Sequence, residues 1–171
     1  MIDVREVDES ELRRRVREIW RVYDAIFHDA PDFDAWRDTM LLRHAARDRF
    51  RFVGAFDGDA LVGMAWGYVG APGQYYTDSV RRALGDEVAD RWQPAFELVE
   101  LGVLESYRGR GTGGAVYARI MQGVTLPAML STWDDDADPA VRLYRRAGWV
   151  RLGVHPSADG SRQMQIMGLS P

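Results

Sequence analysis

Cysteine is absent from the 171 residues, and so is lysine: the 22 basic side chains are all arginine. The first absence excludes disulfides, thiolate nucleophiles and cysteine-based zinc or iron–sulfur sites. The second removes the lysine of a Walker-type phosphate loop and any Schiff-base chemistry. Histidine is scarce. His28, His44 and His155 lie far apart with no zinc-ligand spacing, so no metal is expected. No window approaches the roughly 18 uninterrupted apolar residues of a transmembrane helix, and no membrane partner is expected. The N-terminal stretch is charged and lacks the apolar core of a signal peptide, which predicts a cytoplasmic protein. A net charge of −4 argues against nonspecific nucleic-acid binding.

What is present fits one globular domain spanning 1–171. Hydrophobic residues make up 46% and charged residues 28%, an ordinary balance for a packed core. Residues 2–7 read as a strand. Asp8 and Glu11 have capping-box spacing, and Leu12, Val16, Ile19, Tyr23 and Ile26 follow at helical steps, predicting a helix over 10–27. A second helix is predicted over 34–48. Two apolar runs, 50–56 and 60–69, flank Asp57-Gly58-Asp59 and predict a hairpin. Thr77 is read as the cap of a helix carrying Val80, Leu84, Val88 and Trp92, ended by Pro94. A strand over 95–104, a glycine-rich turn, a helix to about Gly123, a strand over 128–132, a helix over 138–147 and strands over 149–155 and 162–169 complete the chain. The expected class is α/β (α+β): one mixed, mostly antiparallel sheet of about seven strands with helices on both faces.

The turn after the 95–104 strand carries the most chemistry. Gly109, Gly111 and Gly113 alternate with Arg110 and Thr112, and Gly114 follows at the start of a helix. Glycines admit positive φ and let a ligand approach the main chain. The first N–H groups of the helix and its dipole favour an anion, and Arg108 and Arg110 add charge suited to phosphate oxygens. A pyrophosphate-bearing ligand fits this pattern. The same glycines also match the dinucleotide motif G-x-G-x-x-G, with Asp134 20 residues beyond Gly114. There, however, the glycines follow their strand at once, whereas Glu105, Ser106, Tyr107 and Arg108 intervene here, so the dinucleotide reading is set aside.

These motifs resemble the GNAT superfamily of acyl-CoA N-acyltransferases. Arg108-Gly109-Arg110-Gly111-Thr112-Gly113 resembles the family's Arg/Gln-x-x-Gly-x-Gly/Ala, and Leu101-Gly102-Val103 its preceding strand. Glu105 stands where proline is common. A second signature, A-x-x-L-Y-x-x-x-G-F, is matched by Ala140 through Trp149, with Tyr144 at the tyrosine. Ala137 replaces a frequent asparagine near the pantetheine arm, so that contact is not carried over.

The resemblance implies acetyl-CoA as co-substrate, held in a V-shaped opening between the 95–104 and 128–132 strands. Backbone groups at Leu101 and Val103 would bind pantetheine. The turn from Arg108 through Gly109, Arg110, Gly111, Thr112, Gly113 and Gly114 would bind the pyrophosphate. The acceptor, an amine of a small molecule or of a peptide or protein, would enter from the opposite side.

Attack on a thioester needs a neutral amine, which a carboxylate can provide by accepting a proton. Glu97 and Glu100 are the candidate bases. Their spacing puts them on opposite faces of the strand. Glu97 matches the base position of some relatives and is preferred, while Glu100 is nearer the expected thioester. Tyr144 matches the tyrosine placed near the CoA sulfur, where a hydrogen bond would assist departure. Trp66, Trp92, Trp133, Tyr75 and Tyr76 are read mainly as core or rim aromatics, with an acceptor pocket as the alternative. The competing functional reading is a non-catalytic acyl-CoA-binding sensor or partner module. The sequence leaves open whether the chain forms a homodimer.

Overall fold

Asp8 accepts a 2.8 Å hydrogen bond from the Glu11 amide and starts α1 (Glu9–Phe27) directly after β1 (Ile2–Glu6). This observation comes from the computed structural model, which describes residues 1–171. The capping box expected here is only half formed. The Glu11 carboxylate turns instead to Arg5, through two 2.7 Å bonds, and to Arg15 at 2.8 Å. Held chiefly by the Arg5 hydrogen bonds, its carboxyl falls to about 2.

The helix expected over 34–48 is divided into α2 (Phe33–Trp36), a π-helical turn (Arg37–Leu41) and α3 (Leu42–Ala45). In an α-helix, positions five apart diverge by about 140°. The wider turn brings Trp36 and Leu41 to one side, and both are buried. The hairpin forms as expected from β2 (Arg51–Asp57) and β3 (Ala60–Val69), with Asp57 paired to Ala60 across the Asp-Gly turn.

The single helix expected after Thr77 is two, α4 (Tyr75–Leu84) and α5 (Asp86–Trp92), separated at Gly85 with φ +80°. Thr77 is not the cap. Its hydroxyl is spent on Glu97 inside the fold, and α4 begins two residues earlier. Then follow β4 (Phe96–Val103), a 3-10 turn (Glu105–Tyr107), α6 (Thr112–Met121), β5 (Ala128–Trp133), α7 (Pro139–Arg146), β6 (Val150–Pro156) and β7 (Gln163–Leu169). The seven strands form one mixed sheet in the order β1-β2-β3-β4-β5-β7-β6. The β1–β2, β2–β3, β5–β7 and β6–β7 pairs are antiparallel and β4–β5 is parallel. This is the expected class. No helix is long and apolar enough to cross a membrane.

The chain divides into two compact units. The first comprises Met1–Tyr68 and Val99–Gln122. Its core gathers Leu12, Ile19 and Tyr23 of α1 with Trp36, Leu41, Phe52, Met64 and Trp66. The end of α1 rests on β4 at Gly102, where a Cβ would stand 2.7 Å from Ile26 Cγ2. Val103 points the other way, toward Gly113 at the start of α6. α6 packs along β1 and β2. Arg51 of β2 donates to the carbonyls of Ile120 (2.8 Å) and Gln122 (2.7 Å), satisfying the C-terminal end of α6.

The second unit comprises Val69–Leu98 and Gly123–Pro171. Val80, Ala95, Met129 and Ile166 form its centre, with Tyr76, Leu84, Trp92 and Leu152 packed around them. Asp138 caps α7 by accepting from the Ala140 amide at 2.7 Å, with Pro139 in the first turn. Beyond Gly148, the Trp149 amide returns to the Tyr144 carbonyl at 3.1 Å.

Candidate functional site

The turn singled out by sequence lies in the first unit. Gly109 and Gly111 have φ of +73° and +83°, a region costly for residues with a Cβ. Gly111 is the residue preceding α6, and no side chain caps the helix. The first intrahelical bond is Ala115 N–H to the Gly111 carbonyl at 3.0 Å. The amides of Thr112, Gly113 and Gly114 therefore head the helix without intrahelical acceptors. A Cβ built at Gly109, Gly111 or Gly114 would meet no atom within 4 Å, so a ligand can approach this main chain. Thr112 is buried and anchors the first turn, while Gly114 is exposed. Open amides, a helix dipole and nearby arginines suit a diphosphate.

The two arginines are held differently. Arg108 Nε donates to the Val103 carbonyl at 2.8 Å and buttresses the turn. That carbonyl keeps its second lone pair. Arg110 stands 5.9 Å over the ring of Tyr107, whose hydroxyl donates to Asp57 at 3.0 Å. Leu101 is half-buried and Val103 buried, both near the end of β4. The registered β4–β5 pairs are Phe96–Ala128 and Glu97–Met129, and beyond them β4 runs on to Val103 and β5 to Trp133.

Glu97 and Glu100 have different surroundings, as strand alternation predicts. Glu97, in the second unit, is 3% exposed, and its Oε1 accepts from the Thr77 hydroxyl at 2.5 Å. Gly70 lies against it: a Cβ there would be 2.0 Å from the same oxygen. Glu100, in the first unit, is half-buried on the strand reached by the end of α1. Loss of solvation, with the charge of Asp29 second, raises its carboxyl to about 8. A base of that kind is poised near neutral pH.

Tyr144 sits in the second unit on α7, 6% exposed, with its ring 5.8 Å from that of Trp149. Of the other aromatics, Trp66 is fully buried in the first core, and Trp92 packs into the second. Trp133 and Tyr75 are exposed, with Arg162 3.9 Å over the Trp133 ring.

Three polar pairs were not identified from sequence. Tyr23, fully buried, donates to Asp29 at 2.7 Å. Ser131 Oγ lies 2.8 Å from His155 Nε2, and burial lowers that imidazole. Trp66 Nε1 donates to His44 Nδ1 at 3.2 Å, and burial, with Arg47 and Arg43 nearby, brings His44 down to about 4. Each pair joins separate elements or a helix to its following loop, and no local spacing signals it.

Comparison with known proteins agrees with this geometry. The model of the Acetyltransferase (GNAT) family matches residues 13–149, most of the chain. A GCN5-like protein acetyltransferase of Mycobacterium tuberculosis is 28% identical over 192 residues, covering 93% of each chain. Among solved structures, aminoglycoside 6'-acetyltransferase type Ii superposes with a TM-score of 0.68 at 18% identity, over 98% of this chain and 96% of that one. Arabidopsis thaliana Naa50, in complex with the bisubstrate analogue CoA-Ac-MVNAL, gives 0.66 at 14% identity over 99% of both chains. The latter two show the fold. With a family match over most of its length and a matching sheet, the chain belongs to the Acetyltransferase (GNAT) family and is an acyltransferase.

Proposed function

We propose that this protein is an N-acetyltransferase that moves the acetyl group of acetyl-CoA to a primary amine within a ternary complex. The observation that carries the reading is the uncapped start of α6 behind the positive-φ turn at Gly109 and Gly111. The amides of residues 109–114 hold the pyrophosphate, with Arg110 adding charge. Main-chain groups at Leu101 and Val103 hold the pantetheine arm.

Glu100 is the preferred base, in place of Glu97. The latter is buried and already accepts a hydrogen bond from Thr77, whereas the proton affinity of Glu100 matches the task. In the reaction, the amine nitrogen forms a bond to the acetyl carbonyl carbon, and the carbon–sulfur bond breaks. An amine arriving as an ammonium loses one proton to Glu100; the second, lost as the amide forms, goes to the departing sulfur, which accepts a hydrogen bond from the Tyr144 hydroxyl and leaves as CoA thiol. The relatives include both an aminoglycoside enzyme and protein acetyltransferases.

The test is thiol release from acetyl-CoA with a panel of small amines, aminoglycosides and peptides carrying a free α-amine. Amine-dependent release of CoA with a matching acetylated product is expected. Acetyl-CoA binding with no release across the whole panel would overturn the catalytic reading.

A further inference from the structure

Tyr23 and Asp29 belong to the end of α1 and the loop after it, which lie over β4 two residues from Glu100, and nothing in the roles given above uses them. Tyr23 is completely buried and donates its hydroxyl to Asp29 Oδ1 at 2.7 Å. Asp29 is itself exposed, one residue beyond His28, whose left-handed backbone (φ +52°) ends α1 and whose amide returns to the Asp24 carbonyl. The loop is thus fixed twice, once through its main chain and once through the Tyr23 hydroxyl. The packing of Ile26 against Gly102, two residues along the strand from Glu100, holds α1 and β4 in register.

We propose that Tyr23 and Asp29 are positioning residues for the acceptor-side base: Asp29, fixed by the Tyr23 hydroxyl, acts through its charge on Glu100. This rests on the assignment of Glu100 as base. The charged and titratable groups around Glu100 come from three places. α1 supplies Tyr23, whose phenol is pushed up by burial, by Glu100 and by its bond to Asp29. The loop after α1 supplies Asp29. Behind Tyr23 stands Trp66 of β3, ring centroids 5.8 Å apart, whose partner His44 on α3 is kept neutral by burial. Of these, the charge that acts on the Glu100 carboxyl is that of Asp29.

A carboxylate held near Glu100 makes the glutamate bind its proton more tightly. A protonated amine relieves that repulsion on arrival and can leave its proton on Glu100. The pair therefore matches acceptors that arrive as ammonium ions. Because Asp29 is exposed, its influence is sensitive to salt.

The experiment follows the Glu100 carboxyl directly, by carbon-13 NMR of glutamate-labelled full-length protein from pH 5 to 10. The signal is assigned by its loss in Glu100→Gln. The wild-type midpoint is expected near 8. Asp29→Asn, isosteric and exposed, is expected to lower it by about half a pH unit or more, and Tyr23→Phe to lower it by less. Raising salt to about 1 M should shrink the difference between wild type and Asp29→Asn. The acid limb of kcat/KM, measured with the fastest amine of the panel, should move in parallel, with KM for that amine rising in Asp29→Asn. Midpoints unmoved in both variants, with folding intact by circular dichroism, would overturn the proposal. Failure of every amine to turn over would count against the function while the NMR midpoints still decide this inference.

Discussion

Thr77 and Glu97 are joined by a buried hydrogen bond, hydroxyl to Oε1 at 2.5 Å, with Gly70 pressed against the same oxygen. The glutamate is therefore part of the scaffold that fixes the start of β4. Gly70→Ala would force a methyl group into a gap of 2.0 Å, and the carboxylate must move. Overpacking of this kind costs roughly 1–3 kcal/mol. Thr77→Val, which strips the donor, costs about 1–3 kcal/mol. Urea denaturation should show both losses, while the acid limb of the thiol-release pH profile stays in place. A limb displaced in these variants would restore Glu97 as the base.

Glu100 predicts a fall of stability toward alkaline pH. Its ordinary value is 4.5 and its value in the fold about 8. Between those limits the native protein holds a proton that the unfolded chain has released. The contribution is complete below 4.5 and is lost as pH rises through 8. Glu100→Gln cannot ionise, so its melting temperature should decline less than that of wild type between pH 5 and pH 9. Parallel decline in the two proteins would show that the carboxyl is not raised.

Gly111→Ala tests the turn. Placing a Cβ at φ +83° costs about 1–2 kcal/mol, since the left-handed region crowds it against the next carbonyl. Relief of that strain would tilt the first amides of α6. Calorimetry should show weaker binding of acetyl-CoA by about tenfold or more. Unchanged affinity would place the pyrophosphate elsewhere.

Tyr144→Phe removes one hydroxyl and keeps the ring that packs on Trp149. If that hydroxyl serves the leaving sulfur, kcat should drop by roughly tenfold to a thousandfold. The dissociation constant for acetyl-CoA should hardly change. A normal kcat would reduce Tyr144 to a packing residue.

The parts of the molecule legible in sequence are those written in short-range patterns. Gly109 and Gly111 announce a turn because only positive φ explains their spacing before a helix, and Asp57-Gly58 marks its hairpin for the same reason. Thr77 shows the limit of such reading. A threonine near a helix start looks the same whether it caps the helix or lies inside its first turn, and its partner Glu97, twenty residues on, decides between them. Glu11 misled similarly, because Arg5 on the preceding strand outcompeted the backbone amide for its carboxylate. The alternation of β4 separated Glu97 from Glu100 correctly. It gave no sign that Asp29 would raise one of them, since a loop's charge reaches a strand only after α1 has folded across it.

α6 is furnished unequally at its two ends. Arg51 donates to two carbonyls at the C-terminal pole, so that end is tied to the first hairpin. With ten residues rising 1.5 Å each, the opposite pole lies about 15 Å away. Sliding the helix or unwinding its tail would break those two bonds. An arginine that never reaches the glycine turn thus helps to hold the helix that presents the amides there.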